Sequence, residues 1–181
     1  GKVAWYAQPS NATAAWTEQV IANVIGPMSL AVVDMDGDGD LDIVSAALFM
    51  QQVLWYENRD ALFDFGAPHL IFDEQVVGHI AIQVADLDND GDNDVVLSTH
   101  FFPQYRIHWL ENDGTGKFLN TSHNITSLSN FKATAIEVAD VNNDNALDLV
   151  FVTPQENKVT LRINNGSGAF TQQYIVSSTT I

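Results

Sequence analysis

Apolar and β-branched residues in this chain come in short runs, each ended by a cluster of Asp, Asn or Gly. Between residues 80 and 125 the order is IAIQVAD, an acidic stretch, VVLST, RIHWLEN, the turn NDGTGK and a last segment around FLNTSHNI. Runs of this length, rich in Val, Ile, Leu and aromatic residues and bounded by turn formers, predict β-strands. NDGTGK and NNGSG predict hairpin turns, because Gly and Asn adopt positive φ at little steric cost. No stretch carries apolar residues at the 3.6-residue period of a helix, so the chain reads as all-β.

The strand pattern recurs. VLWYEN (53–58) matches IHWLEN (107–112) and VTLRIN (159–164), with VAWYAQ (3–8) one period earlier. The acidic stretches DMDGDGDLD, DLDNDGDND and DVNNDNALD begin at Asp34, Asp86 and Asp140, spacings of 52 and 54 residues. Four strands repeated at about 50 residues predict the antiparallel blades of a β-propeller. A two-sheet sandwich leaves so regular a repeat unexplained. On this phase, residues 1–181 are part of a single propeller. Residues 1–25 are a half blade of two outer strands, and 26–77, 78–129 and 130–181 are complete four-stranded blades. The half blade leaves two expectations open. Either the chain is part of a longer polypeptide, or its ends join other copies, since bare blade faces and strand edges invite pairing.

The acidic stretches share the frame D-x-[DN]-x-D-[GN]-x-x-D. Positions 1, 3 and 5 bring oxygens to one side of a tight turn. Gly39, Gly91 and Asn145 fill position 6, where a left-handed backbone is expected. Position 7 can offer its backbone carbonyl, and Asp42, Asp94 and Asp148 close the frame at position 9. A cage of several carboxylate oxygens suits Ca²⁺, which takes about 6–8 oxygen ligands, better than Mg²⁺, which keeps more water. An EF-hand is excluded, because its position 12 needs a bidentate Glu and here holds Ser45, Leu97 and Phe151, in strand-like flanks.

With this frame set between strands at this period, and FGAP at 65–68, nearly the whole chain resembles the FG-GAP/VCBS repeats, which build the propellers of integrin α-chains and of many secreted proteins. The resemblance implies that each acidic loop joins the first and second strands of a blade and binds calcium. It implies three Ca²⁺ sites: Asp34, Asp36, Asp38 and Asp42; Asp86, Asp88, Asp90 and Asp94; and Asp140, Asn142, Asp144 and Asp148. The carbonyls of Asp40, Asp92 and Ala146 would complete them. The third loop departs from the pattern at Asn142 and Asn145, carries less charge, and is expected to bind most weakly.

Charge supports a bound cation. The chain has a formal net charge of −16, with 23 acidic residues, 13 of them in the three loops, so unliganded loops would repel themselves. The same charge argues against contact with nucleic acid phosphates or an anionic membrane surface. No apolar run approaches the roughly 20 residues of a membrane span, and no signal peptide is visible. A start at Gly1 reads as a processed or excised chain, and the absence of cysteine excludes disulfides and thiolate metal sites. Millimolar calcium would keep even weak sites filled, which points to an extracellular or cell-surface location and to calcium as a staple of the fold.

Trp5, Trp55, Trp109 and Leu161 share one repeat position and are expected to pack between blades, and Gln83 and Glu137 to line a central channel. HFFPQY (100–105) places Phe101, Phe102 and Tyr105 in an expected loop, a weak candidate surface for a partner. The five histidines read as recurring at no repeat position, and Glu57, Glu111 and Glu137 as scattered, so no catalytic constellation emerges. Sequons at Asn11, Asn120, Asn124 and Asn165 are candidate glycan acceptors. The expectation is an extracellular, non-enzymatic interaction or structural module, a subunit of an assembly, whose partner is a protein or glycan, or a second copy met through the half-blade ends. The alternatives are a lectin-like propeller and the non-catalytic part of a secreted carbohydrate-active enzyme.

Overall fold

A computed structural model of the chain describes residues 1–11, 13–59, 63–73, 79–101, 104–129 and 132–177. Its strands are β1 (Lys2–Ala7), β2 (Thr17–Asn23), β3 (Pro27–Val33), β4 (Asp42–Ala47), β5 (Gln52–Tyr56), β6 (His69–Asp73), β7 (His79–Ala85), β8 (Asp94–Phe101), β9 (Gln104–Asn112), β10 (Phe118–Ser129), β11 (Ala135–Ala139), β12 (Asp148–Thr153), β13 (Lys158–Asn164) and β14 (Phe170–Ser177). Among the described residues the one helical element is a single 3₁₀ turn, Pro154–Glu156. They form a two-stranded sheet, β1–β2, and three four-stranded antiparallel sheets, β3–β6, β7–β10 and β11–β14, each a meander in which neighbours in sequence are neighbours in space.

The sheets stack through their first strands, β7 against β3 and β4 on one side and against β11 on the other. One apolar cluster lies between successive sheets: Val3, Val24 and Tyr56 between the first two; Met35, Val44, Trp55 and Ile82 between the next; and Leu87, Trp109, Ile136 and Phe151 between the last two. The repeat makes the contribution of a neighbouring sheet visible. Leu30, Ile82 and Ile136 each stand four residues before the first Asp of a loop, yet Leu30 is 56% exposed where Ile82 and Ile136 are 4% and 5% exposed. Ile82 and Ile136 are covered by the inner strands of the preceding sheet. The two-stranded sheet before β3 has no such strands, so Leu30 stays bare.

Trp55 and Trp109, almost fully buried, pack into the next sheet. A Cβ built on Gly116 would overlap the Trp55 ring, and one built on Gly168 would overlap Trp109. Both glycines sit in hairpin turns at positive φ, +72° and +68°, so two separate constraints require glycine there. Trp5 meets Phe63 of the following sheet in the same way, ring centroids 4.4 Å apart. Because Trp109 ties one sheet to the next, Trp109→Ala is expected to cost about 3–5 kcal/mol, the range for a large buried aromatic. Urea unfolding checks it, with half-exposed Trp5→Ala as the milder comparison.

The described part of HFFPQY is strand. β8 continues to Phe101 and β9 starts at Gln104. Tyr105 is half-buried and stacks on His100, centroids 4.1 Å apart and planes 7° apart, packing within one sheet that linear reading could not see. Phe102 lies outside the described residues, as does the side chain of Phe101. Gln83 and Glu137, expected to line a central channel, meet each other: Gln83 Nε2 donates to Glu137 Oε2 at 3.2 Å and to the Ile136 carbonyl at 3.1 Å.

Candidate metal centres

Each acidic stretch connects the first and second strands of a four-stranded sheet: 34–42 joins β3 to β4, 86–94 joins β7 to β8, and 140–148 joins β11 to β12. The turn is held by its own aspartates. In the first loop the Gly37 and Gly39 N–H groups donate to the two oxygens of Asp34, at 2.8 and 3.0 Å, and the Asp40 N–H to Asp38 Oδ1 at 2.8 Å. Gly91 N–H to Asp86 and Asn145 N–H to Asp140, each 3.0 Å, repeat the pattern. Position 6 is left-handed in all three loops, φ +95°, +99° and +69°, and so is position 4, where Gly37, Asn89 and Asn143 have φ of +74°, +62° and +62°.

This folding converges carboxylates. Asp34, Asp36 and Asp42 place one oxygen each within 4.8 Å of one another, and Asp86, Asp88 and Asp94 do the same. Asp38 and Asp90 belong to neither group. In the third loop Asn142 Nδ2 donates to Asp144 Oδ2 at 2.7 Å, so the amide occupies an oxygen that a carboxylate at position 3 would have left free. In the second loop Asp86 Oδ1 and Asp88 Oδ1 are buried with no hydrogen-bond donor. A buried anionic oxygen without a donor is costly, and a hard cation satisfies it. The oxygen-only donor set fits Ca²⁺.

The electrostatics agree. Burial pushes the Asp36, Asp42 and Asp88 carboxyls above the usual range, and the charges of Asp38 and Asp90 add to it at Asp36 and Asp88. Asp94, fully buried, is pushed up to about 7 by burial, against the opposing hydrogen bonds from the Asn112 and Leu87 N–H groups. A folded-state pKa above that of the unfolded chain means the fold holds the proton more tightly, so this contribution is fully present at acid pH and is lost as pH rises from about 4 through 7. With calcium chelated, the unfolding midpoint is therefore expected to rise as pH falls from 7.5 to 5. With excess calcium it should fall, because protons compete with the cation. Thermal melts across that range, with and without chelator, check the opposite slopes.

Position 9 is an anchor of the backbone. Asp42, Asp94 and Asp148 are each 0% exposed, and both of their oxygens accept backbone N–H groups. Oδ2 accepts from position 2 of its own loop, Met35, Leu87 or Val141, at 3.0–3.2 Å. Oδ1 accepts from the residue after VLWYE, IHWLE or VTLRI, that is Asn58, Asn112 or Asn164, at 2.7–3.0 Å. Their one sign in the sequence is that these asparagines close all three matched segments.

A second repeated feature corrects the sequence reading. In the strand register His69 faces Trp55 and His123 faces Trp109. The two histidines are 54 residues apart, as are Glu57 and Glu111, so they do recur. His69 Nε2 lies 3.1 Å from Glu57 Oε2 and His123 Nε2 3.2 Å from Glu111 Oε2, and each ring packs on its Trp, centroids 4.6 and 4.4 Å apart. Only cross-strand pairing brings these three residues together, and Gln19 and Gln173 stand across from Trp5 and Leu161 in the other two sheets. Among the described residues no other group of three or more His, Cys, Asp or Glu side chains converges as the two loop clusters do.

The FG-GAP-like repeat matches residues 1–45 and 86–151. No curated protein matches the chain. Among solved structures the chain is similar to an Agrocybe aegerita lectin that recognises non-reducing terminal N-acetylglucosamine, at a TM-score of 0.58 and 20% identity. The alignment covers 82% of this chain and 38% of the lectin chain, so the chain spans well under half the length of that neighbour, and at this identity the likeness concerns fold. With the repeat matched over more than half its length and its acidic loops set between consecutive strands of each four-stranded sheet, this chain belongs to the FG-GAP-like repeat family.

Proposed function

We propose that the chain is a calcium-stabilised segment of a β-propeller, each four-stranded sheet a blade, that serves outside the cell as a non-enzymatic interaction or structural module. The observation that carries this reading is the converged, partly buried carboxylate cluster of Asp86, Asp88 and Asp94, two of whose oxygens are buried without a donor. When bound, calcium would neutralise these carboxylates and hold the loop between first and second strands. Asp34, Asp36 and Asp42 would hold a second ion. Asp140, Asn142, Asp144 and Asp148 would hold a third most weakly, since Asn142 already ties Asp144. Asn11, Asn124 and Asn165 are exposed, as glycan acceptors in a secreted protein must be. Among the described residues no helix is long and apolar enough to cross a membrane.

Assembly through the first sheet is part of the proposal. β1 pairs only with β2 among the described strands, and a cavity of about 290 Å³ beside it is lined by Val3, Ala4, Pro27, Met28 and Leu30. Met28, Leu30 and Val32 are each more than half exposed. Such an apolar face beside an open strand edge favours pairing with further strands. Calorimetric titration with calcium, followed by light scattering of the 19.9 kDa chain with calcium and with chelator, tests both parts. Saturable binding near neutral pH is expected, with any self-association lost in Leu30→Lys. Absence of calcium binding would overturn the reading.

A glycan ligand is the second reading, favoured by the fold likeness to a lectin. A glycan array probed in calcium distinguishes it. Binding to terminal N-acetylglucosamine would select it over a protein partner.

A further inference from the structure

A continuous buried hydrogen-bond chain joins the three acidic loops to one another. In the second sheet, Asn112 is 1% exposed and its backbone N–H is held by Asp94. Its side-chain Nδ2 donates to the Asn93 carbonyl of its own loop at 3.1 Å and to the Met35 carbonyl of the preceding loop at 2.8 Å. Met35, also 1% exposed, has its own N–H held by Asp42. The third sheet repeats the arrangement. Asn164, held by Asp148, donates to the Leu147 carbonyl at 3.1 Å and across to the Leu87 carbonyl at 2.7 Å, and the Leu87 N–H is held by Asp94. The path therefore runs Asp42, Met35, Asn112, Asp94, Leu87, Asn164, Asp148. Among the described residues Asn58 in the sheet before reaches only the Leu41 carbonyl of its own loop, and the two-stranded sheet preceding it has no acidic loop to offer a second acceptor.

We propose that Asn112 and Asn164 are positioning residues that couple calcium binding between successive loops; this rests on the calcium reading above. The peptide at position 2 is held from both sides, its N–H by the position-9 aspartate of its own loop and its C=O by the asparagine that the next loop's position-9 aspartate orients. Calcium that fixes Asp94 fixes the Asn112 backbone, and with it the side chain that sets the Met35 peptide in the first loop. An ion in one loop thus preorganises the neighbour, and by linkage the effect is reciprocal. The coupling is dry, since every member of the path is at most 1% exposed, and buried polar networks transmit such constraints more strongly than solvated ones.

The amide resonances of Gly39, Gly91 and Asn145 report on the three loops separately during a calcium titration followed by NMR. In the native chain Asp88→Asn is expected to weaken calcium at the Gly39 loop by about fivefold or more, and Asp36→Asn to weaken the Gly91 loop by the same factor. In Asn112→Ala these cross-effects should vanish while each loop still titrates. Asn164→Ala should sever the Gly91 loop from the Asn145 loop alone, which keeps the test decisive if Asn112→Ala does not fold. Asn58→Ala should leave the coupling intact. Asn93 also crosses between loops, donating to the Asp34 carbonyl at 2.9 Å; cross-effects that survive Asn112→Ala and disappear in Asn93→Ala would overturn the assignment. Independent titration of all loops in the native chain would overturn the coupling and leave calcium binding standing. No calcium-dependent shift at any of the three amides would remove both.

Discussion

Adding chelator to the calcium-loaded protein is expected to lower its unfolding midpoint by about 10–20 °C. A ligand that binds only the folded state contributes about 2.7 kcal/mol when present at a hundredfold excess over its Kd. Two filled loops contribute about 5 kcal/mol, and in a domain of this size each kcal/mol moves the midpoint by about 2–4 °C. The sign follows from the carboxylates. Asp34, Asp36 and Asp42, and Asp86, Asp88 and Asp94, are brought within 4.8 Å of one another by the turn itself, so without a cation the fold must hold its own repulsion. Differential scanning calorimetry in millimolar calcium and in chelator reads the shift directly. A midpoint indifferent to chelator would mean that the loops are held by hydrogen bonds alone.

Asp94→Ala is expected to be among the most damaging single substitutions in the chain, while Asp92→Ala, two residues away, is expected to be nearly silent. Asp94 is fully buried and accepts the Leu87 and Asn112 N–H groups at 3.0 Å each. Removing the carboxylate leaves two buried donors without acceptors, at about 1–3 kcal/mol each, and takes away a proposed calcium oxygen as well. Asp92 stands at position 7, where the proposed ligand is the backbone carbonyl, which alanine keeps. Urea unfolding in calcium should therefore separate the two variants by several kcal/mol, and in chelator the gap should narrow, because Asp94 then carries a buried charge that the fold disfavours. Equal stability of the two variants in calcium would show that position 9 is no hub.

Much of this is legible in the sequence. The four-strand repeat, the hairpin turns and the acidic loops are written in local chemistry. Gly and Asn mark positive φ, short apolar runs mark strands, and an aspartate at every second position marks a loop where carboxylates converge. Position 6 at Gly39, Gly91 and Asn145 is left-handed as its residue types required. The misreadings have one cause. HFFPQY looked like a loop because two Phe and a Tyr beside a Pro suggest irregular chain, yet strand pairing carries β8 through Phe101. His69 and His123 looked unrelated because their Trp and Glu partners are neighbours only across a strand pair.

What the sequence by itself determined is therefore the content of each repeat: which residues turn, which runs form strands, and where the acidic loops fall. Only the tertiary structure decided how the repeats meet. The exposure of Leu30 against the burial of Ile82 and Ile136, the glycines that admit Trp55 and Trp109, and the reach of Asn112 and Asn164 into the preceding loop are contacts between sheets. They join residues up to 77 positions apart. Turn and strand preferences act over a few residues, whereas a carbonyl such as Met35's finds its donor only when two separately specified sheets pack face to face.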